Sequence, residues 1–408
     1  MTHQPPSWRE VTQRRCARIL VVSTLLIFAP GFTGEAAVPK VEEGDSLFAE
    51  STNIPTIRIE LPPEAMRKLR NSRYEQDGTR SEVLGVVTDG TKTYTNVALH
   101  IKGSAGSSRA IDANPALTLT FDKEGVGQKF HGLTKLSLNN SVQDRSLIRE
   151  KLCRELFAAV GVPTQRADYA RVILNQRPLG LYVLLEGANK HFLRQHFEKA
   201  DGVLYDGGYA QDINQKLTVT SGDKHADRAD IRRLIAATRL NDTAKRFTEL
   251  TRIIDMDRFI RMMAMEALIA HWDGYSQVHN NYRIYHDPKT DRLVFIPHGL
   301  DLAWWSREIN KSLFPEMRSV VGGAVIETEE GRRQYVARVQ EFAKAHFQVN
   351  DLLKRVDQIE ARIRPVQNED TERAVEELRS MVKYRCSLIA KSLPKLPALA
   401  HLAEPVAK

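Results

Sequence analysis

The chain of 408 residues carries 59 Lys and Arg against 51 Asp and Glu, a formal net charge of +8, with 42% hydrophobic and 27% charged residues. That mixture excludes a disordered tail protein, a collagen-like fibre and a multispanning membrane protein, and leaves a globular chain with room for two lobes of about 150 residues each. The surplus of positive charge favours acidic partners such as nucleotides and phosphates, yet it equally describes a solvated basic surface, and no nucleic-acid partner is expected.

Arg14, Arg15 and Arg18 precede an apolar run over residues 19–32 that Pro30 breaks, and small residues follow at Gly34, Ala36 and Ala37. A basic flank, a short apolar stretch and a small-x-small site predict a secretory signal peptide over residues 1–37. The run is too short and broken to cross about 30 Å of hydrocarbon comfortably. An exported protein with no stable membrane span after signal removal is therefore expected, in the periplasm, at the cell surface or outside the cell; an uncleaved anchor is the other reading. Cys153 and Cys386 remain once Cys16 is removed, and neither sits in a C-x-x-C pair. Two such cysteines make neither a disulfide framework nor a structural zinc site, and Cys153, on an apolar helical stripe, reads as a buried inert thiol.

After an acidic lead-in, residues 57–61 alternate as a strand, and Pro62-Pro63 opens a short helix over 64–69. A polar loop over 71–80 leads to two strands within 82–101 about a turn at Asp89-Gly90. The small-residue loop 102–108, K-G-S-A-G-S-S, is followed by strands over 116–121 and 133–138. Asp144 is placed to cap a helix running to about Val160, which Gly161 and Pro163 stop. Strands over 169–174 and 180–185 flank a turn at 175–178, and Glu186-Gly187 leads into a helix over 189–198. Helical patterns then dominate 228–270 and 332–393, with one hairpin between them, 282–285 and 293–296. The pattern predicts an α+β chain: a strand-rich small lobe over 38–188, a helical large lobe over 189–393 that carries the hairpin, and a flexible tail over 394–408. Leu138, Leu147, Leu152, Leu156, Ile173 and Leu184 are expected in the first core, and Phe259, Met263, Ala267 and Leu268 in the second.

Three segments carry candidate chemistry. Glycines and serines in the 102–108 loop let backbone amides approach a phosphate, although a flexible hairpin tip has the same composition. H-W-D-G-Y at 271–275 delivers Asp273 at the end of an apolar helix, with Asn280-Asn281 beyond it, a pattern suited to a general base beside a metal-binding amide. P-H-G-L-D at 297–301 places Asp301 just after a strand, where an acid can hold a metal. His271, His298 and Asp301 together admit a transition-metal site, but without an i, i+4 His pair the oxygen donors rank a hard cation such as magnesium higher.

Taken together, V-A-L-H-I-K-G-S-A-G-S-S, the G-L-T-K-L-S-L-N-N-S-V-Q-D-R-S-L-I-R-E-K-L-C-R-E-L-F run, V-I-L-N-Q-R-P-L-G-L-Y-V-L-L-E, H-W-D-G-Y with N-N-Y, and P-H-G-L-D resemble the spore coat protein H (CotH) kinase family, from about residue 57 to about 305. The resemblance implies a two-lobed atypical protein-kinase-like fold that transfers the γ-phosphoryl group of ATP, with Mg2+, to serine of a serine-rich protein. It makes Asp273 the active-site Asp, and Asp301 with Asn281 or Asn280 the metal ligands. Lys102, Gly103 and Ser104 stand at the phosphates, Lys102 where the family often has Arg. By analogy of fold, Lys135 is the phosphate-pairing lysine with Glu150 or Glu155 as its helix partner, and Glu186-Gly187 is the connector beside the adenine. Two departures accompany the match. The strand after the loop opens Asn114-Pro115-Ala116-Leu117 where the family commonly has a basic stretch, and Gly299 stands where many members have the first Asp of a pair. Two other readings of the same residues are a non-catalytic surface or adhesive binding protein that retains the fold, and a metal-dependent phosphohydrolase that uses the carboxylates on water.

Overall fold

The computed structural model describes residues 45–49, 53–72, 80–104, 106–123, 125, 127–223, 225 and 227–400. The expected signal segment 1–37 and residues 401–408 lie outside them.

Alternating apolar residues close the first part into a barrel. After a single helical turn α1 (Asp45–Phe48), β1 (Thr56–Glu60) leads to α2 (Pro63–Arg70), β2 (Val83–Thr88), β3 (Thr93–Lys102), β4 (Ala116–Thr120) and β5 (Lys135–Asn139). The helix α3 (Arg149–Ala159) then precedes the hairpin β6 (Ala167–Leu174) and β7 (Arg177–Glu186). The barrel order is β1-β2-β3-β4-β5-β7-β6, and β6 closes it by pairing parallel to β1. Ile57, Ile59, Val97, Leu99, Leu117, Leu136, Leu138, Val172 and Leu184 fill its interior.

The opposite faces of β6 and β7 are also buried, because α3 lies on them: Tyr169, Val183 and Leu185 share a cluster with Leu152, Leu156 and Phe157. This cover stops short of the strand's end. Ile173, expected in the core, is only half-buried, since it faces outward while Val172 and Leu174 face inward. The expected helix start also shifts. Asp144 accepts from the amides of Ser146 and Arg149 and so caps the turn ahead of α3.

The second part is a four-stranded sheet, β11-β10-β8-β9, backed by helices, and it belongs to the same compact unit as the barrel. From β7 the chain runs through α4 (Lys190–His196), β8 (Leu204–Asp206), β9 (Thr218–Ser221), α5 (Ala229–Thr238), α6 (Thr243–Ile253) and α7 (Met256–Leu268). The short helix α8 (Tyr275–Val278) precedes the hairpin β10 (Tyr282–Asp287) and β11 (Arg292–Pro297). Helices α9 (Val320–Ile326), α10 (Glu329–His346), α11 (Val349–Ile363), α12 (Glu369–Ser392) and α13 (Leu396–Ala400) complete the chain. Strands β8 and β9 escape sequence reading because they hold three and four residues and form only by pairing, β8 onto β10 and β9 onto β8. Within the expected tail over 394–408, α13 forms over 396–400 and Leu396 is buried.

Long-range charge pairs tie the helices back to the barrel. Arg355 on α11 forks onto Glu155 of α3 at 2.7 Å, and Arg362 lies 2.8 Å from the buried Asp168 on β6. On the interior strand β10, His286 sits between Asp230 at 3.0 Å and Asp291 at 2.8 Å. The Asp230 hydrogen bond, with help from Asp291, raises the imidazole above its ordinary 6.5. A group whose folded-state pKa is raised stabilises the fold fully below its unfolded value and loses that contribution as pH rises through the folded value. Thermal denaturation across pH 5–9 is therefore expected to show wild-type stability falling above pH ~6.5 relative to His286→Gln. Parallel pH profiles for the two proteins would remove His286 as the cause.

Candidate functional site

The hairpin register builds the site. Tyr282 pairs with Pro297, so the residues just outside the hairpin, Asn281 and His298, become neighbours, and the His298 amide donates to the Asn281 carbonyl at 2.8 Å. The Asp273 loop and the 298–301 segment thus lie side by side. They open on a cleft of about 530 Å³ whose other wall is the barrel. Lys102, Gly103, Ser104, Lys135, Asp273, Asn280, Asn281 and Asp301, all singled out from sequence, line this cleft.

Asp273 is half-buried and held by amides. Asn280 Nδ2 donates to its Oδ1 at 2.9 Å, and Asn281 Nδ2 donates to its Oδ2 at 2.8 Å and to its carbonyl at 3.0 Å. Burial raises its pKa and these donors oppose the rise. The two asparagines differ in their free ends. Asn280 Oδ1 already accepts from the Ala210 amide at 3.1 Å, which makes Asn280 a support for Asp273. Asn281 Oδ1 turns toward Gly299.

Asp301 keeps part of its surface on the cleft, and burial, with Glu150 and Asp144 nearby, pushes its pKa up. Lys102 is its positive neighbour. Burial lowers the Lys102 amine to about 8, against the opposing pull of Glu150 and Asp301. The helix acid expected beside Lys135 acts on the charge of Lys102, and all three line the cleft. Glu150 Oε1 accepts from Arg154 at 2.9 and 2.5 Å, and its Oε2 accepts from the Leu300 amide at 3.0 Å. Glu155 pairs with Arg355 instead. Lys135 stands on the cleft among Arg283 and Asp206, its pKa lowered by burial first and by Arg283 second.

Two other expected contributions change. Glu186 is not on the cleft: its carboxylate holds Arg166 at 3.0 Å, its amide donates to the Arg166 carbonyl, and its own carbonyl accepts from Gln165. Gly187 and Ala188 line the cleft in its place. In the 102–108 loop, the Ser107 and Ser108 amides donate to the Ser104 carbonyl and the Ser104 amide donates to Ser107 Oγ. Those amides close the loop on itself, and the cations Arg80, Lys102, Lys135 and Arg283 line the cleft.

His271 is fully buried, lowered to about 4 by burial, and neither ring nitrogen has a hydrogen-bond partner among the described residues. Among those residues no group of three or more His, Cys, Asp or Glu side chains is arranged to hold a metal ion, which removes the His271–His298–Asp301 reading. Asp301 with Asn281 Oδ1 gives one carboxylate and one amide oxygen, a donor set that suits a magnesium ion sharing its shell with phosphates. Because Lys102 accompanies Asp301, the convergence of the two acids does not by itself require a metal.

Fold and site define an α+β protein with a polar cleft on which acids, amides and cations meet. The family model described as CotH kinase protein matches residues 99–383, and the chain belongs to that family. It is 23% identical over 259 residues to the inner spore coat protein H of Bacillus subtilis, covering 58% of this chain and 69% of that protein. Against Rhizopus delemar, it is 24% identical to invasin CotH2 (67% of this chain, 55% of that protein) and 23% identical to spore coat protein homolog 1 (58% and 40%). The chain thus spans less than two thirds of these two fungal relatives. Among solved structures, the proinflammatory kinase CtkA of Helicobacter pylori aligns over 74% of this chain and 96% of its own, at 9% identity and a TM-score of 0.36. HipA of Shewanella oneidensis aligns over 72% and 68%, at 10% identity and 0.39.

The departure at Gly299 has a steric reason here. Its φ is +56°, and a Cβ would lie 2.5 Å from Asn281 Oδ1. Gly299→Asp, which would restore the family's first acid, is therefore expected to cost about 1–3 kcal/mol in chemical denaturation and to push Asn281 off Asp273. A variant as stable as the parent would contradict that crowding.

Proposed function

We propose that this protein is an exported atypical kinase that transfers the γ-phosphoryl group of ATP to serine hydroxyls of a serine-rich protein. In this reading the barrel is the small nucleotide lobe and the helical part the large lobe. The observation that carries it is the meeting of Asp273, Asn281, Asp301 and Lys102 on one cleft, in a chain of the CotH kinase protein family.

Phosphoryl transfer asks a protein mainly for alignment and charge neutralisation. The acceptor hydroxyl oxygen bonds to the γ-phosphorus, the bond from that phosphorus to the bridging oxygen breaks, and ADP leaves with the electron pair. Asp273, held in one orientation by Asn280 and Asn281, takes the hydroxyl proton, and its burial makes it a better base than a solvated Asp. Lys102 and Lys135 from the barrel wall, and Arg283 from the hairpin, bind and orient the triphosphate. Asp301 and Asn281 would hold magnesium, which when bound neutralises phosphate charge. Export rests on the residue 1–37 pattern; among the described residues no helix is long and apolar enough to cross a membrane.

Incubation with γ-labelled ATP, magnesium and a serine-rich acceptor tests this. Asp301→Ala is expected to abolish magnesium-dependent ATP binding in calorimetry. Asp273→Ala is expected to keep binding and lower transfer by roughly 10²–10⁴-fold. If both substitutions only lower stability and the parent labels nothing, the kinase reading falls. A second reading, a non-catalytic surface binding protein, draws on Gly299, on the self-closed serine loop and on the invasin names of the fungal relatives. Phosphate release without protein labelling would instead favour a phosphohydrolase.

A further inference from the structure

Helix α7 is apolar along its buried length except at Glu266, whose side chain has no exposed surface. A buried carboxylate is expensive unless its oxygens are satisfied. Here they are satisfied by the loop that follows the helix. The Tyr275 amide donates to Oε1 at 3.1 Å, the Ser276 amide donates to Oε2 at 3.0 Å, and the Ser276 hydroxyl donates to Oε2 as well. Tyr275 and Ser276 open α8, whose N-cap residue is Gly274 and therefore has no side chain to cap it. The approach is close enough that a Cβ on Gly274 would lie 2.6 Å from Glu266 Oε1.

A second buried acid holds the same short helix from its other side. Asp212 accepts from the Tyr275 hydroxyl at 3.0 Å and from the Val320 amide at 2.7 Å. Asp273 lies immediately before Gly274, and the asparagines that orient its carboxylate lie just past the end of α8. The frame around Asp273 is therefore anchored through α8, and α8 is anchored on Glu266.

We propose that Glu266 is the positioning residue of this site: from beneath the loop it supplies the cap that Gly274 lacks, and so sets where the Asp273 carboxylate stands in the cleft. The inference rests on the reading of Asp273 as the group that takes the acceptor proton. Glu266 touches no part of the cleft and is not itself catalytic.

Glu266→Gln keeps the shape but turns an NH2 group toward one of the two backbone donors. The purified full chain would be assayed for transfer from γ-labelled ATP to a serine-rich acceptor, for ATP–magnesium affinity, and for backbone amide exchange. A displaced base costs turnover rather than binding, so kcat is expected to fall about 10²-fold with KM for ATP within ~2-fold. Exchange at residues 274–278 is expected to accelerate about tenfold or more, with α7 itself unchanged. Unchanged kcat, or an acceleration spread evenly over the chain, would overturn the proposal. If Glu266→Gln does not fold, Ser276→Ala removes one of the three contacts. It should give the same local exchange with a smaller loss of kcat, and behaviour identical to the parent would overturn the proposal too. If the parent transfers no phosphate, the kinase reading fails alone. The exchange pattern then decides: local acceleration at 274–278 supports the anchor, and its absence overturns it.

Discussion

The buried carboxylate of Glu150 accepts from the Arg154 guanidinium on one oxygen and from the Leu300 amide, 150 residues along the chain, on the other. Arg154 in turn donates to Thr164 and to the Gln165 carbonyl at the entry to β6. One acid therefore ties α3, the barrel and the segment that carries Asp301 into a single polar knot. Its removal would leave a buried guanidinium without its carboxylate, a loss in the range of about 3–5 kcal/mol for pairs of this kind. The same carboxylate raises the charge on Lys102 and opposes the charge on Asp301, so the electrostatics of the cleft also depend on it.

Around that knot the helices act as braces. Arg385 on α12 is wholly buried and donates to the carbonyls of Ala267, Leu268, Ile309 and Lys311. It caps the end of α7, just before the Asp273 loop, and holds the chain shortly after Asp301. A cation at a helix C-terminus is favoured by the exposed carbonyl ends, and here four oxygens share it. Tyr275, Tyr282, Phe259 and Phe295 stack behind the hairpin with centroids 4.4–6.1 Å apart, a rigid apolar backing for the residues that face the cleft.

The cleft balances acids against cations closely. Asp206 lies 3.1 Å from Arg283, Asp301 stands near Lys102, and Asp273 faces neutral amides. Burial raises Asp273 against the neutral amides that hold it, whereas burial together with Glu150 and Asp144 raises Asp301 against the pull of Lys102. This division gives the two carboxylates different environments on one surface, the condition under which two like groups take different roles.

Much of this was legible in the sequence. The alternation over 116–121 and 133–138 marks barrel strands because a residue on a strand meets the core every second position. The apolar spacing of Leu152 and Leu156, and of Phe259 and Met263, marks helix faces that are buried as expected. The hairpin, with Asp273 and Asp301 at its two flanks, is local enough to read from turn residues alone. What tertiary structure decided lies at longer range. Whether Glu150 acts on the charge of Lys102 depends on how α3 lies on the barrel, and a side chain's phase on its own helix cannot say what crosses it. Glu186 reads as a connector but turns to Arg166, because its neighbours Leu185 and Gly187 take the cleft side and it takes the opposite one. Ile173 has core chemistry and a half-exposed site because α3 ends short of it. Sequence determines the alternation and the caps, which are local steric and hydrogen-bonding matters. Only the folded chain determines which distant charges meet, since that energy arises from partners brought together out of water.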